Sequence, residues 1–138
     1  MADDCIFCRI AIGEIPCSKV FENDRFLAFL DISPAVKGHT LVIPKKHYET
    51  LLDISQDELK EMSVIVQNIA RAVDRSLKAE GINILQNNRK VAGQEIPHLH
   101  IHIIPRKTGD GNVFEWKHMK YEDNEMNLFL AKIKKEIK

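Results

Sequence analysis

The stretch Pro97-His98-Leu99-His100-Ile101-His102-Ile103-Ile104-Pro105-Arg106 alternates imidazole with aliphatic side chains at a period of two. That is the period of a β-strand, whose successive side chains point to opposite faces. His98, His100 and His102 are therefore expected on one face, and Leu99, Ile101 and Ile103 on the face turned to a core. Half of the chain's 6 histidines fall within this short span. At a rise of about 3.3 Å per residue, neighbours in the trio stand roughly 6.6 Å apart and the outer two roughly 13 Å apart. Two neighbours could converge on one metal ion; three on a straight strand could not readily do so. The simplest reading is a division of labour along a cleft, since neutral imidazole is both a nucleophile and a proton carrier near pH 7. The competing reading is three solvent-facing histidines, on a polar face that Thr, Lys, Glu or Ser would ordinarily fill.

Other short apolar runs, at 20–21, 26–32, 40–43 and 82–85, are bounded by turn formers such as Glu22-Asn23-Asp24, Ser33-Pro34, Pro44 and Asn87-Asn88. Their length, β-branched content and boundaries predict strands. Ser55 with Glu58 three residues on predicts a helix start, since each side chain can satisfy a backbone donor there. Leu59, Met62, Val66, Ile69, Val73 and Leu77 then form one apolar helical stripe. Gly81 is expected to end that helix in a left-handed conformation. The link from 85 to 98 is too short for a crossover helix, so the last two strands are expected to pair as an antiparallel hairpin. The predicted architecture is α+β, a mostly antiparallel sheet with one long helix packed on a face. A weaker apolar repeat at Leu128 or Phe129, Ile133 and Ile137 predicts a C-terminal helix, which could close the domain or touch a partner.

The whole chain of 138 residues suits one domain, 1–138, with no linker, repeat or charge block dividing it. Its 20 Lys and Arg balance its 20 Asp and Glu. Generic nucleic-acid binding rests on many phosphate-neutralising cations, so none is expected here. No apolar run approaches the roughly 20 residues needed to cross a bilayer, and no membrane partner is expected. The acidic start has no basic signal-peptide region, which points to the cytoplasm. Three cysteines cannot all pair, and Cys5-x-x-Cys8 reads as a metal or redox pair rather than a disulfide framework. Neither a P-loop nor a Gly-x-Gly-x-x-Gly fingerprint is present, so any nucleotide is held by other means.

Several separated blocks carry a resemblance. His98-Leu99-His100-Ile101-His102-Ile103-Ile104 is joined by Cys5-Ile6-Phe7-Cys8, by Phe29-Leu30-Asp31-Ile32-Ser33-Pro34, by Gly38-His39-Thr40-Leu41-Val42-Ile43-Pro44-Lys45-Lys46-His47 and by Ala92-Gly93-Gln94. Together they resemble the histidine triad (HIT) family of nucleotide-binding hydrolases and transferases, in its zinc-containing, Hint-like branch. The likeness covers about residues 5–108; the tail, 109–138, carries no usable motif.

The resemblance implies a HIT-like fold and a nucleotide hydrolase. His100 would attack the α-phosphorus of a nucleoside phosphoramidate or related adenylate and form a nucleotidyl-histidine intermediate. Water would then release the nucleoside monophosphate. His102 would hydrogen-bond the phosphate, and His39 would support the catalytic strand. Asp31 would accept the ribose hydroxyls, while Phe7, Ile15, Phe29 and Ile32 would clamp base and sugar. Asn87, Gly93 and Gln94 would face the phosphate, the last two through amides that stabilise developing charge. Without the resemblance, Phe29 and Ile32 would read as core and Asp31 as a turn acid. Many relatives have Ser or Thr where this chain has Glu95, an acid that would repel phosphate. The alternatives are a dinucleoside polyphosphate hydrolase using the same residues, or a non-catalytic nucleotide-binding module.

The zinc-containing relatives further imply Cys5, Cys8, His47 and His98 as ligands of a structural Zn²⁺. Two thiolates and two imidazoles make a closed tetrahedral shell. The implied partners are a small nucleotide substrate and a second copy of the chain, as a homodimer. Cys17 and His118 are left without a role.

Overall fold

Asn23 turns the chain back on itself: its Oδ1 accepts from the backbone N–H groups of Arg25 at 2.9 Å and Phe26 at 2.8 Å. This is the local hydrogen bonding that makes Asn a turn residue. The turn joins β1 (Lys19–Glu22) to β2 (Phe26–Leu30) in a computed structural model that describes residues 4–111 and 114–138. Ahead of them lies a short helix α1 (Ile6–Ala11); after them come β3 (Thr40–Pro44), the long helix α2 (Gln56–Leu77), β4 (Gly81–Leu85), β5 (Ile101–Arg106) and α3 (Glu125–Glu136). The sheet order is β1-β2-β3-β5-β4, every pairing antiparallel. The expected hairpin is present, with Gly81 opposite Arg106 and Leu85 opposite His102.

Ser55 caps α2 by accepting from the Glu58 N–H, while its hydroxyl donates to the Glu58 carboxylate. The helix buries Met62, Ile65, Val66, Ile69 and Val73 against Phe26, Ala28, Val42, Leu99, Ile101 and Ile103 on one face of the sheet. Ile65, absent from the simple stripe, belongs to this face, and Leu77, at its end, is 39% exposed. Gly81 does not end the helix. Lys78 does so, at φ 50° and ψ 50°, its own N–H returning to the Asp74 carbonyl. Gly81 is three residues further on and already pairs as the first residue of β4. One glycine is required by its backbone: Gly38 has φ 97°, which strains a side chain, and a Cβ there would also crowd Leu77.

The opposite face of the sheet is covered as well, which the alternation of the histidine stretch does not reveal. Leu27, Phe29, Leu41 and Ile43 pack beneath Phe7, Cys8 and Ile10 of α1. His98 and His100 are buried, so the solvent-facing reading of the trio fails. The strand is also shorter than the alternation suggests. Leu99 donates its N–H to the Tyr48 carbonyl at 2.6 Å, and β5 begins only at Ile101. Helix α3 forms where the tail pattern predicts one, but all its residues are exposed and none of them closes the body. No helix among the described residues is long and apolar enough to cross a membrane.

Candidate active site and metal centre

The proton positions on the histidines follow from their partners. The Nδ1 of His100 lies 2.7 Å from the His98 carbonyl oxygen. A carbonyl only accepts, so Nδ1 carries the hydrogen and Nε2 keeps its lone pair. The edge of Phe7 stands against the His100 ring, centroids 5.2 Å apart and planes at 82°. Burial pushes the His100 pKa down, against opposing contributions from the His98 carbonyl and Asp31. A neutral ring with one free lone pair therefore borders the cleft.

His39 and His102 are linked in the same way. The Ala35 N–H donates to His39 Nδ1 at 3.0 Å, which puts the His39 proton on Nε2. That Nε2 is 2.8 Å from His102 Nδ1 and donates to it. The neutral His102 ring must then carry its own proton on Nε2. Burial, reinforced by the neighbouring His100 and His39 rings, depresses the His102 pKa to about 4. Burial also lowers the pKa of His39, with Asp31 opposing. The Asp31 carboxylate stands 3.8 Å from His39 Nε2, while its other oxygen accepts from the Ser33 N–H at 2.8 Å. Although Asp31, His39 and His102 lie close enough together to suggest a metal site, the two rings share a proton along their contact, and that arrangement reads as a hydrogen-bond relay.

Of the residues singled out for the nucleotide, Phe7, Ile15, Phe29, Asp31, Ile32, Asn87, Gly93, His100 and His102 border one cleft of about 580 Å³, with His39. Phe29 is buried at its floor, whereas Ile32 is 95% exposed at its rim and is not core. Asp31 does form a turn, and it also faces the cleft. The tail contributes Phe114, whose ring takes the Arg106 guanidinium at 5.2 Å. An aromatic in a segment without motif was the only sequence signal for it.

Gln94 is the exception. It does not line the cleft; its buried side chain accepts from the Arg89 N–H and donates to the Glu49 carbonyl, each at 2.6 Å. The amides of Gly93 and Gln94 are likewise engaged, with the carbonyls of Lys90 at 3.0 Å and Arg89 at 3.1 Å. Both are therefore used within the short 3₁₀ turn at Lys90–Ala92. Arg89 sits at φ 74° and ψ 157°, a region that side chains rarely adopt. The Gln94 clamp is what holds the loop in that shape.

Cys5, Cys8, His47 and His98 bring four potential ligand atoms within 4.8 Å of one another. Cys5, at the N-cap of α1, accepts from the Cys8 N–H through its sulfur, so the start of the helix holds both thiols in place. His98 Nε2 donates to the Pro44 carbonyl at 2.8 Å, which leaves the Nδ1 lone pair facing the thiols. His98 Nδ1 is 3.4 Å from Cys5 Sγ, 3.5 Å from Cys8 Sγ and 3.2 Å from His47 Nδ1, and Cys8 Sγ is 3.2 Å from His47 Nδ1. A tetrahedral ion with nitrogen at about 2.05 Å and sulfur at about 2.3 Å requires edges of about 3.3 Å and about 3.6 Å. The donor set and spacing fit such an ion, and the outer hydrogen bond to Pro44 is the support that ligating histidines usually have.

Comparison with known proteins gives the same grouping. A family profile described as HIT domain matches residues 12–109, leaving the Cys5 and Cys8 pair and the tail outside it. The chain is 46% identical to a HIT-like protein of Methanocaldococcus jannaschii over 97% of its own length and 98% of the relative's. It is 44% identical to an Arabidopsis thaliana protein named adenylylsulfatase, covering 80% of this chain and 56% of that one. It is 43% identical to a Schizosaccharomyces pombe protein named adenosine 5'-monophosphoramidase, covering 74% of each. The crystal structure of a HIT family protein from Bacillus subtilis superposes with a TM-score of 0.92 at 42% identity, covering 99% of both chains. With the triad, the relay and the antiparallel sheet all in place, the chain belongs to the HIT domain family.

Proposed function

We propose that the protein hydrolyses nucleoside 5'-phosphoramidates or related adenylates at the α-phosphorus. The observation that carries this reading is the hydrogen bond from His100 Nδ1 to the His98 carbonyl, which leaves Nε2 free as a nucleophile beside the cleft. In the first step a bond forms between Nε2 and phosphorus, and the bond from phosphorus to the leaving group breaks with its electron pair. In the second a water oxygen bonds to phosphorus and the Nε2–phosphorus pair returns to His100. Overall, water supplies its hydroxyl to phosphorus and a proton to the leaving group, so one difficult displacement becomes two easier ones. His102 Nε2–H donates to a phosphoryl oxygen, and Asp31 accepts from the ribose hydroxyls. Phe7, Phe29 and the exposed Ile32 hold the base and sugar. The relatives named adenylylsulfatase and adenosine 5'-monophosphoramidase support this class of substrate.

The ion we assign to Cys5, Cys8, His47 and His98 is Zn²⁺, because two thiolates and two imidazoles suit its tetrahedral preference. A closed shell of four protein ligands makes its contribution structural, tying α1 to the segment that carries His100. Thiolate ligands persist where thiols stay reduced, which favours the cytoplasm. The assembly we infer is a homodimer, supported by the resemblance and by the apolar side chains that α3 leaves exposed.

Acid-quenched mass spectrometry after brief mixing with adenosine 5'-phosphoramidate tests the reading. The expected result is an adenylyl adduct on His100 and AMP release, both absent in His100→Ala. Undiminished AMP release by that variant would overturn the covalent mechanism. Nucleotide binding without turnover by the wild type would instead favour a binding module.

A further inference from the structure

Phosphate sites ordinarily supply cations. Among the described residues that line this cleft there is no Lys or Arg; its fully charged side chains are Asp31 and Glu95. The nearest basic residues along the loop, Arg89 and Lys90, are exposed and do not line it. One oxygen of Asp31 accepts from the Ser33 amide, and its carboxylate is already assigned to the ribose hydroxyls. Glu95 differs. It is exposed, borders the same cleft as His100, and its carboxylate makes no hydrogen bond or ion pair among the described residues. It shares its loop with Gly93, which also borders the cleft, and His100 follows five residues later.

An uncommitted carboxylate bordering the cleft of His100 acts on the charge of a leaving group that departs past it. A phosphoramidate monoester brings one negative charge, which a cleft with few cations can accommodate. A leaving group that departs as a sulfate or a polyphosphate adds more negative charge next to Glu95. A leaving group that bears an ammonium gains an opposite charge instead. Resting on the hydrolase reading above, we propose that Glu95 is a specificity-determining residue that selects adenylates whose leaving group carries a cationic amine and disfavours those whose leaving group is an anion. The pair would be exposed to water, which limits the expected preference to about fivefold for each unit of charge.

The test uses three adenosine 5'-phosphoramidates of similar size, made with 1,3-diaminopropane, propylamine and β-alanine. Beyond the scissile nitrogen these carry a positive, a neutral and a negative group. The readout is the ratio of kcat/KM values among them for wild type, Glu95→Gln and Glu95→Lys. The expected wild-type order is cationic, then neutral, then anionic, in steps of about fivefold. It should flatten in Glu95→Gln, reverse in Glu95→Lys, and shrink as salt screens the exposed charge. A wild type that does not discriminate, or an order that persists in Glu95→Gln, would overturn the proposal while leaving the hydrolase reading intact. If the wild type turned over none of the three and released no AMP from the unsubstituted phosphoramidate, the hydrolase reading would fall, and this proposal with it.

Discussion

His39 Nε2 donates to His102 Nδ1 across 2.8 Å, and the Ala35 N–H fixes the far side of His39. This single line of donors decides that His102 presents an N–H, rather than a lone pair, at its other nitrogen. His100, held by a carbonyl, does the opposite. Two adjacent imidazoles with centroids 4.9 Å apart thus offer one acceptor and one donor without any net charge. The neutral His39 ring makes this assignment possible, since it can accept at one nitrogen and donate at the other.

Replacing His39 by Phe removes that donor while filling much the same space. The His102 ring is then free to take either tautomer, and kcat/KM is expected to fall by about 100-fold, the low end of what a positioned proton donor contributes. Nitrogen-15 shifts of the His102 ring would follow the change in tautomer. Unaltered shifts and rate would remove His39 from the relay.

Acid should weaken the fold through the same rings. In the folded protein His102 is held near pKa 4, against about 6.5 in an unfolded chain. Between those values the unfolded chain binds more protons, so stability rises with pH. The contribution is fully present above about pH 6.5 and is lost as pH falls through about 4. His39, shifted in the same direction, adds to the trend. Thermal melts from pH 7 to 4.5 should show a steeper loss for wild type than for His102→Asn, and equal slopes would refute the assignment.

Gln94 is expected to matter for stability more than for direct contact with substrate. Gln94→Ala leaves the Arg89 N–H and the Glu49 carbonyl without the partners they now have. A loss of about 1–3 kcal/mol in unfolding free energy is expected, the usual cost of an unsatisfied buried polar group. Denaturant titration measures it. A variant as stable as wild type but weak in nucleotide binding would overturn this structural role for the side chain.

At the end of α2, Lys78→Gly should stabilise the protein. The left-handed backbone at φ 50° strains any residue with a Cβ, by about 1 kcal/mol relative to glycine. A rise of several degrees in Tm is expected, and an unchanged or lower Tm would mean that the lysine side chain contributes more than the strain removes.

The histidine alternation makes a strand and a shared imidazole face legible in the sequence, because a period of two is a property of neighbouring residues, and the short link from 85 to 98 makes the hairpin legible. Where pairing begins is not such a property. Leu99 leaves the ladder because the distant Tyr48 carbonyl captures its N–H. Gly81 suggests a helix stop because glycine adopts the left-handed region most readily, yet the reversal falls at Lys78, whose N–H bonds the Asp74 carbonyl. The resemblance implies a phosphate contact through the Gln94 amide; that amide bonds the Arg89 carbonyl, and the direction of the side chain depends on Glu49, far away along the chain. The grouping of His47 with the cysteine pair came from resemblance, since nothing in its spacing from Cys8 indicates their proximity.

His98 faces two ways: its ring belongs with Cys5, Cys8 and His47, and its carbonyl sets the proton of His100. Helix α1 is consequently linked to the His100 ring through one peptide unit. A chain whose Cys5 and Cys8 thiols have been alkylated would lose the anchor for that peptide with no alteration to any side chain lining the cleft. The orientation of the His100 ring is thus tied to the state of the Cys5 and Cys8 pair.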